Sequence, residues 1–162
     1  MSERQSDEAA LAEVKEFLPH RKPFLFADRV EIEGEKIVGY KTFSDEEFFF
    51  KGHFPGYPVV PGVIELETLA QLGGVGVRKM GIEGAGTFFL AKIKEARFRR
   101  QVRPGETLRA EIVNLKASPH IVHQKGTGYV GGEVAVEAEW ISIAGDGDVT
   151  QVASGASTGV TK

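Results

Sequence analysis

The stretch VIELETLAQLGGVGVRKM, residues 63–80, is the only long helix candidate in the chain. At about 100° per residue, its apolar side chains fill one broad arc and its polar side chains form two narrow lines. A helix with such a wide apolar arc is mostly buried. Gly73, Gly74 and Gly76 lower its helix propensity, so we expect this helix to pack closely against a flat partner.

The chain on either side of this helix is rich in strand-forming residues. The dipeptide Gly131-Gly132 is typical of a two-residue hairpin turn, and RPGE at 103–106 indicates another turn. Strands joined by hairpins form an antiparallel sheet, so the pattern predicts an α+β fold with one helix on the face of the sheet. We predict two strands before the helix and four after it, at 24–32, 36–43, 87–100, 106–116, 120–130 and 133–143.

The two ends of the chain differ from this central part. A short helix is predicted at residues 6–18, where apolar residues recur at helical spacing and Pro19 ends the pattern. Residues 145–162 are small and polar, and we expect them to form a disordered tail. The sequence therefore predicts a single domain over residues 1–144.

The composition excludes several classes of protein and site. The 162 residues include no cysteine, which excludes disulfides, thiolate nucleophiles and thiolate metal sites. The net charge of −3 creates no global field that would favour nucleic acid or an anionic membrane. The N-terminus is polar and no apolar run approaches the roughly 18 residues of a membrane span, so we expect a cytoplasmic protein.

Two proton-transfer groups flank a rigid loop just before the long helix. His53 lies in the segment GHFPGYPVVPG, residues 52–62, whose prolines disfavour regular strand pairing. A histidine can accept a proton near neutral pH, and Glu67, beside the apolar arc, can stay protonated and act as an acid. Gly62 starts the helix, where free backbone amides can stabilise an oxyanion. Together these groups suit proton removal next to a carbonyl, followed by loss of a leaving group.

Three segments of the chain are similar to a known family. They are LPHRKPFLFADRV (18–30), GHFPGYPVVPGVIELETLAQ (52–71) and ARFRRQVRPGE (96–106). They resemble the 3-hydroxyacyl-acyl-carrier-protein dehydratases of fatty acid synthesis, and the similarity covers about residues 15–143. The resemblance implies a hot-dog fold, in which an antiparallel sheet wraps around one long central helix.

The resemblance also implies roles for individual residues of this sequence. By position, His53 matches the catalytic histidine of the family and Glu67 its catalytic acid. Gly62 matches the glycine whose amide polarises the thioester carbonyl. Val59 matches a residue whose backbone contacts the hydroxyl region of the substrate, and we group Val63 with these substrate-binding residues.

The other polar residues near these motifs receive different interpretations. Gln71, one helical turn beyond Glu67, is expected to hold its carboxyl. Glu65 falls where the family usually has an apolar residue, so we assign it no catalytic role. Of the three remaining histidines, we interpret His20 as structural. We interpret His120 and His123 as surface or edge residues.

The implied reaction is dehydration of (3R)-3-hydroxyacyl thioesters of acyl carrier protein to trans-2-enoyl thioesters and water, without a cofactor or a metal. The family works as a homodimer, often assembled into a trimer of dimers, and each active site takes the histidine from one subunit and the acid from the other. A basic stretch has two interpretations, a solvated strand face or a docking patch for the acidic carrier protein. Its cationic residues are Lys92, Lys94, Arg97, Arg99, Arg100 and Arg103.

Two other functions stay open on the sequence alone. A hot-dog acyl thioesterase would use a carboxylate to activate water, and a catalytically silent subunit would only bind the thioester. The presence of both His53 and Glu67 weighs against the silent subunit. A glutamate at position 67 favours dehydration alone, since the branch of the family that also isomerises the double bond commonly has aspartate there.

Overall fold

Two helices and six strands follow one another in the order that the sequence predicts. The structure is a computed structural model and describes residues 2–83 and 86–145. The elements are α1 (Glu3–Phe17), β1 (Arg29–Glu33), β2 (Lys36–Thr42), α2 (Gly62–Lys79), β3 (Thr87–Phe98), β4 (Thr107–Ala117), β5 (Ile121–Val130) and β6 (Glu133–Gly145).

The six strands form one antiparallel sheet in the order β1-β2-β4-β5-β6-β3. Helix α2 lies across this sheet and contacts all six strands. Leu69 and Leu72 of α2 are fully buried, as are Ile112 and Trp140 on the facing strands. The predicted arrangement, an antiparallel sheet around one buried helix, is therefore confirmed.

Two of the three glycines inside α2 allow the helix to approach the sheet closely. A Cβ atom on Gly73 would collide with the side-chain amide of Gln124, and one on Gly76 would collide with the side chain of Ile37. The predicted close packing is confirmed at these two positions. Gly74 is different, because a Cβ atom there would meet only Leu18 Cδ1, at 3.9 Å.

This difference gives a matched pair of stability variants. Gly76→Ala is expected to lower the free energy of unfolding by about 1–3 kcal/mol, because the new methyl group must displace the fully buried Ile37. Gly74→Ala adds the same methyl group where it makes only an ordinary contact with Leu18, so it should instead gain up to about 1 kcal/mol from helix propensity. Urea unfolding of both variants checks the prediction, and equal midpoints would contradict it.

The helix boundaries differ slightly from those predicted, and the first strand differs more. Helix α1 begins at Glu3 instead of residue 6, because Ser2 and Gln5 form a reciprocal capping box at its start. Strand β1 begins at Arg29 instead of residue 24. The preceding residues turn towards α2, where the Phe26 backbone N–H donates to Gln71 Oε1 at 2.7 Å.

Both predicted turns are confirmed. Gly131 and Gly132 have φ angles of 57° and 83°, the positive pair that a type I′ hairpin between β5 and β6 requires. In the segment 103–106, the Glu106 N–H donates to the Arg103 carbonyl at 3.1 Å, with Gly105 at a φ of 84°.

The predicted tail falls almost entirely outside the described residues. Gly145, its first residue, is the last residue of β6, and residues 146–162 are not described. Over the described ranges, neither helix has the length and apolar character needed to cross a bilayer.

Candidate active site

His53 is held in place by the backbone of its own loop. Its N–H donates to the Phe49 carbonyl at 2.9 Å, and Phe49 is buried in the core. The Val59 N–H donates to the His53 carbonyl, also at 2.9 Å. The imidazole stacks on Phe54, with 4.1 Å between the ring centroids. The loop therefore fixes both the backbone and the ring plane of the histidine.

A second contact of Val59 decides which ring nitrogen of His53 can act as a base. The Nδ1 atom lies 2.9 Å from the Val59 carbonyl oxygen. A carbonyl only accepts, so Nδ1 carries the proton and Nε2 presents its lone pair. Holding this tautomer is a role for Val59 that the sequence did not suggest, and its expected contact with the substrate stays a prediction.

Gly62 is the first residue of α2, as the oxyanion interpretation requires. The Pro61 carbonyl accepts from the N–H groups of Ile64 and Glu65, at 2.9 and 3.1 Å. The amides of Gly62 and Val63 precede these donors, so they have no acceptor within the helix. A cavity of about 370 Å³ opens beside this helix start, and its walls include Val59, Gly62, Glu65 and Phe98.

Glu67 lies on the other side of α2, in a separate and larger cavity of about 680 Å³. Its side chain is only 21% exposed. Burial raises the pKa of Glu67, although the hydrogen bond that it accepts from Gln71 acts in the opposite direction. The carboxyl is therefore biased towards the protonated form that a general acid needs.

Gln71 is bonded to three groups that fix its orientation. Its Nε2 donates to Glu67 Oε1 at 2.9 Å and to the Phe24 carbonyl at 3.2 Å, while its Oε1 accepts from the Phe26 N–H. The predicted contact between Gln71 and Glu67 is present. Gln71 is buried and bonded to the segment before β1, so its side chain is fixed and in turn fixes the position of the Glu67 carboxyl.

His20 is a neighbour of Glu67 that sequence reasoning did not place there. Its Nε2 lies 3.5 Å from Glu67 Oε1, and both residues line the larger cavity. Burial, followed by the nearby charge of Arg21, lowers the pKa of His20. A neutral imidazole thus faces the acid, and the only signal in the sequence was the motif LPHR at 18–21.

One chain does not bring the base and the acid into the same cavity. The smaller cavity contains Gly62 and Val59, the residue that holds His53, whereas Glu67 and Gln71 line the larger one. Neither His53 nor Gly62 is among the residues that line the larger cavity. Within the described residues of one chain, the acid is therefore separated from the cavity of the oxyanion donor.

The predicted basic patch is largely neutralised by neighbouring carboxylates. Lys94 pairs with Glu139 at 3.2 Å, and Arg97 pairs with Glu95. Arg103 differs, because its guanidinium stacks over the Tyr57 ring at 4.6 Å and donates to the Tyr57 hydroxyl. The two remaining arginines also form ion pairs, Arg99 with Glu137 and Arg100 with both Glu106 and Glu133.

The two histidines of the β5 region lie outside both cavities. His120 is exposed and lies just before β5, in agreement with its interpretation as a surface residue. His123 lies on β5, which is an inner strand and not an edge. Its Nε2 lies 2.7 Å from Glu139 Oε1, so it belongs to the charge network on the outer face of the sheet.

The chain is similar to a known protein family over most of its length. A family model described as a FabA-like domain matches residues 18–139, a range that includes His53, Gly62 and Glu67. The chain belongs to the FabA-like family. The match spans the histidine loop, α2 and most of the sheet.

Three relatives of this FabA-like chain bear the name 3-hydroxyacyl-acyl-carrier-protein dehydratase FabZ. The protein of Pelotomaculum thermopropionicum is 47% identical over 129 residues, which cover 78% of this chain and 92% of the relative. That of Desulforamulus reducens is 48% identical over 128 residues, covering 78% and 90%. That of Clostridium kluyveri is 44% identical over 138 residues, covering 83% and 94%.

Solved structures with the same fold include dehydratases and thioesterases. The dehydratase heterocomplex ApeI:P from Xenorhabdus doucetiae superposes with a TM-score of 0.68 at 17% identity, covering 82% of this chain and 91% of that one. A hypothetical thioesterase with coenzyme A from Streptococcus pneumoniae gives a TM-score of 0.55 at 9% identity, covering 74% and 87%. At these identities the likeness shows the fold alone, so the sequence relatives and the site carry the functional argument.

Proposed function

We propose that this FabA-like protein is a hydro-lyase that dehydrates 3-hydroxyacyl thioesters of acyl carrier protein to trans-2-enoyl thioesters in fatty acid elongation. The observation that carries the proposal is that His53 and Glu67 are held in the states that a general base and a general acid require. His53 is held with Nε2 free to accept a proton, and Glu67 is held in an environment that favours its acid form. The names of the curated relatives support the same reaction.

The first half of the reaction would use the His53 side of the site. The thioester carbonyl lies at the start of α2 and accepts from the Gly62 amide, which makes the C2 proton more acidic. His53 Nε2 takes that proton and becomes an imidazolium, which the Val59 carbonyl stabilises through Nδ1–H. The electron pair of the C2–H bond moves towards the carbonyl, where the amide stabilises the enolate oxygen.

The second half would use Glu67. The neutral carboxyl donates its proton to the 3-hydroxyl while the C3–O bond breaks, and the hydroxyl leaves as water. The enolate electron pair forms the C2–C3 double bond. Glu67 ends as a carboxylate and His53 as an imidazolium, and the return of one proton to Glu67 and the loss of one from His53 restore the starting state.

We further propose that the site is completed by a second copy of the chain, paired along β3. This strand is at the edge of the sheet, and its exposed apolar residues include Phe89, Leu90, Ile93 and Phe98. A long apolar edge strand is suited to pairing with another strand. A homodimer would cover it and continue the sheet across the two subunits.

Antiparallel pairing of β3 with its copy would also bring the two kinds of cavity together. Residues 87–90, at the start of β3, line the cavity of Glu67, and Phe98, at its end, lines the cavity of Gly62. A two-fold axis through the middle of the strand places the start of one β3 beside the end of the other. The Glu67 cavity of one subunit then adjoins the Gly62 cavity of its partner.

The carrier protein would dock near the smaller cavity. Gln101 lines that cavity, and Arg103 Nη2 donates to Gln101 Oε1 at 3.1 Å, so the guanidinium lies at its rim. Arg103 contacts neutral partners there, whereas Arg99 and Arg100 contact carboxylates. Among the arginines of the predicted patch, Arg103 is therefore the best placed to meet an acidic partner.

Arg103→Glu is accordingly expected to raise the KM for an acyl carrier protein substrate by roughly 3- to 10-fold at low salt, with little effect on kcat. The KM for a short, uncharged thioester should change much less, and added salt should reduce the difference. Steady-state kinetics with both substrates check this. Lys116→Glu, at an exposed position of β4 outside both cavities, is the control. An equal effect of the two substitutions would contradict the docking proposal.

The experiment that tests the proposed function is to mix the purified protein with a 3-hydroxyacyl thioester and follow the product. Absorbance of the conjugated enoyl thioester is expected, without release of free thiol. Release of thiol would instead indicate a thioesterase. Binding of the carrier protein with neither signal would indicate a silent subunit, and either of these two outcomes would overturn the proposal.

A further inference from the structure

Glu65 is a buried carboxyl that the proposed mechanism does not use. It is only 2% exposed, and its Oε2 atom has no hydrogen-bond partner among the described residues. It lies two residues before Glu67, so about 200° of helical rotation separates the two side chains. Glu67 therefore lines the larger cavity, and Glu65 lines the smaller one together with Gly62.

The charged groups around Glu65 are occupied elsewhere. The smaller cavity also contains Arg99 and Arg100, from the segment after β3. Arg99 Nε lies 2.6 Å from Glu137, and Arg100 lies 2.9 Å from Glu106 and 3.3 Å from Glu133. In the loop before α2, the titratable side chains nearest in the chain are Tyr57, whose hydroxyl donates to Gln101, and His53, whose Nδ1 is bonded to the Val59 carbonyl. No cation therefore neutralises Glu65 within the described chain.

Burial without a partner keeps this carboxyl neutral at ordinary pH. It raises the pKa of Glu65 to about 8. Below that pH the group is a hydrogen-bond donor as well as an acceptor. A buried polar group without a partner is unfavourable and uncommon in folded proteins, and one that faces a cavity can be satisfied by a bound ligand.

We propose that Glu65 is a further substrate-binding residue, whose neutral carboxyl donates a hydrogen bond to an oxygen of the acyl thioester held beside the Gly62 amide. The remaining walls of the cavity support this assignment. Val59, Val60 and Phe98 offer apolar surface for a carbon chain, and they line the same cavity as Gly62 and Glu65. The inference rests on the proposed function, because it takes the thioester as the occupant.

In the proposed dimer, α2 would then serve two active sites. Glu65 would face the site that contains His53 of its own chain, and Glu67 would face the site that contains His53 of the partner subunit. Each site would hold two carboxyl groups with different tasks. One would bind the substrate, and the other would protonate its leaving group.

The test compares Glu65→Met with Glu65→Gln in the full-length protein, using the 3-hydroxyacyl thioester assay from pH 6 to pH 9.5. Methionine removes the hydrogen-bond donor and replaces the carboxyl side chain with an apolar one of similar length. We expect kcat/KM at pH 7 to fall roughly 3- to 10-fold, mainly through KM, which corresponds to one hydrogen bond. Glutamine keeps an N–H donor and should recover most of that loss.

The pH profile separates a binding role from a merely structural one. In the wild type, KM should rise above about pH 8, where the Glu65 carboxyl ionises and loses its donor. Neither variant has this group, so in both the KM should be independent of pH over that range. Thermal unfolding of both variants, measured in parallel, confirms that they are folded.

Failure of the Glu65 proposal and failure of the proposed function give different results in this experiment. If folded Glu65→Met has the KM and the pH profile of the wild type, the proposal for Glu65 is wrong while the dehydratase function stands. If the wild type itself forms no enoyl product, the proposed function fails, and the proposal for Glu65 fails with it.

Discussion

Replacing His53 with alanine is expected to lower kcat for dehydration by about 10²- to 10⁴-fold, the usual contribution of a general base. The loss should fall on kcat more than on KM, because the imidazole acts on the C2 proton in the transition state. Single-turnover measurement of enoyl formation checks the chemical step directly. This is the first of the two largest effects that the site predicts.

The control for this variant is another histidine with no contact to either cavity. His120→Ala removes an exposed imidazole before β5 and should leave kcat within about twofold of the wild type. Exchange of deuterium at C2 of a saturated acyl thioester gives a second readout, since it requires only the base. Unchanged exchange in His53→Ala would show that another group removes the proton.

Glu67→Gln is expected to lower kcat by about 10²-fold or more. Glutamine can still contact Gln71 and His20, so the fold and the shape of the cavity should persist, but its amide has no acidic proton to transfer to the leaving group. The effect should depend on the leaving group, because a substrate whose 3-substituent leaves without protonation no longer needs the acid. A 3-substituted thioester of that kind should therefore restore much of the lost rate.

The raised pKa of Glu67 also fixes the direction of a pH effect. The acid form persists to higher pH than in an ordinary glutamate, and kcat should fall as the pH rises through that pKa. Glu67→Gln should lack this step. Glu16→Gln removes an exposed carboxyl that lines the same cavity, so it should retain both the rate and the step. If Glu16→Gln lacked the pH step, the step would belong to Glu16 and not to Glu67, which would contradict the prediction.

Patterns that are local in the sequence predicted most of the fold. The helical spacing of residues 63–80 found α2 to within one residue at each end, and the pair Gly131-Gly132 fixed the β5–β6 hairpin. The segment 24–28 was predicted wrongly as strand, although its residues favour strands. Its backbone bonds to Gln71, 45 residues further along, and no local pattern contains that partner.

The sequence predicted some residues of the candidate site and missed others. His53, Gly62 and Glu67 stood out because their chemistry and spacing are visible in one short stretch. Glu65 did not, because it falls where the similar family usually has an apolar residue, and it was therefore assigned no catalytic role. In the structure, Glu65 is only 2% exposed, and Thr68 on the same helix is fully buried. Such burial depends on long-range packing, which a helical wheel does not contain.

The central claim is that each site takes its base from one chain and its acid from another, and a mixed dimer tests it most directly. His53→Ala and Glu67→Gln chains, each inactive as a homodimer, can be co-expressed with different tags and the heterodimer isolated. A shared site predicts one intact site of two in that heterodimer, and hence about half of the wild-type kcat per dimer. A heterodimer as inactive as the two homodimers would contradict the account, because it would mean that no site combines His53 of one chain with Glu67 of the other.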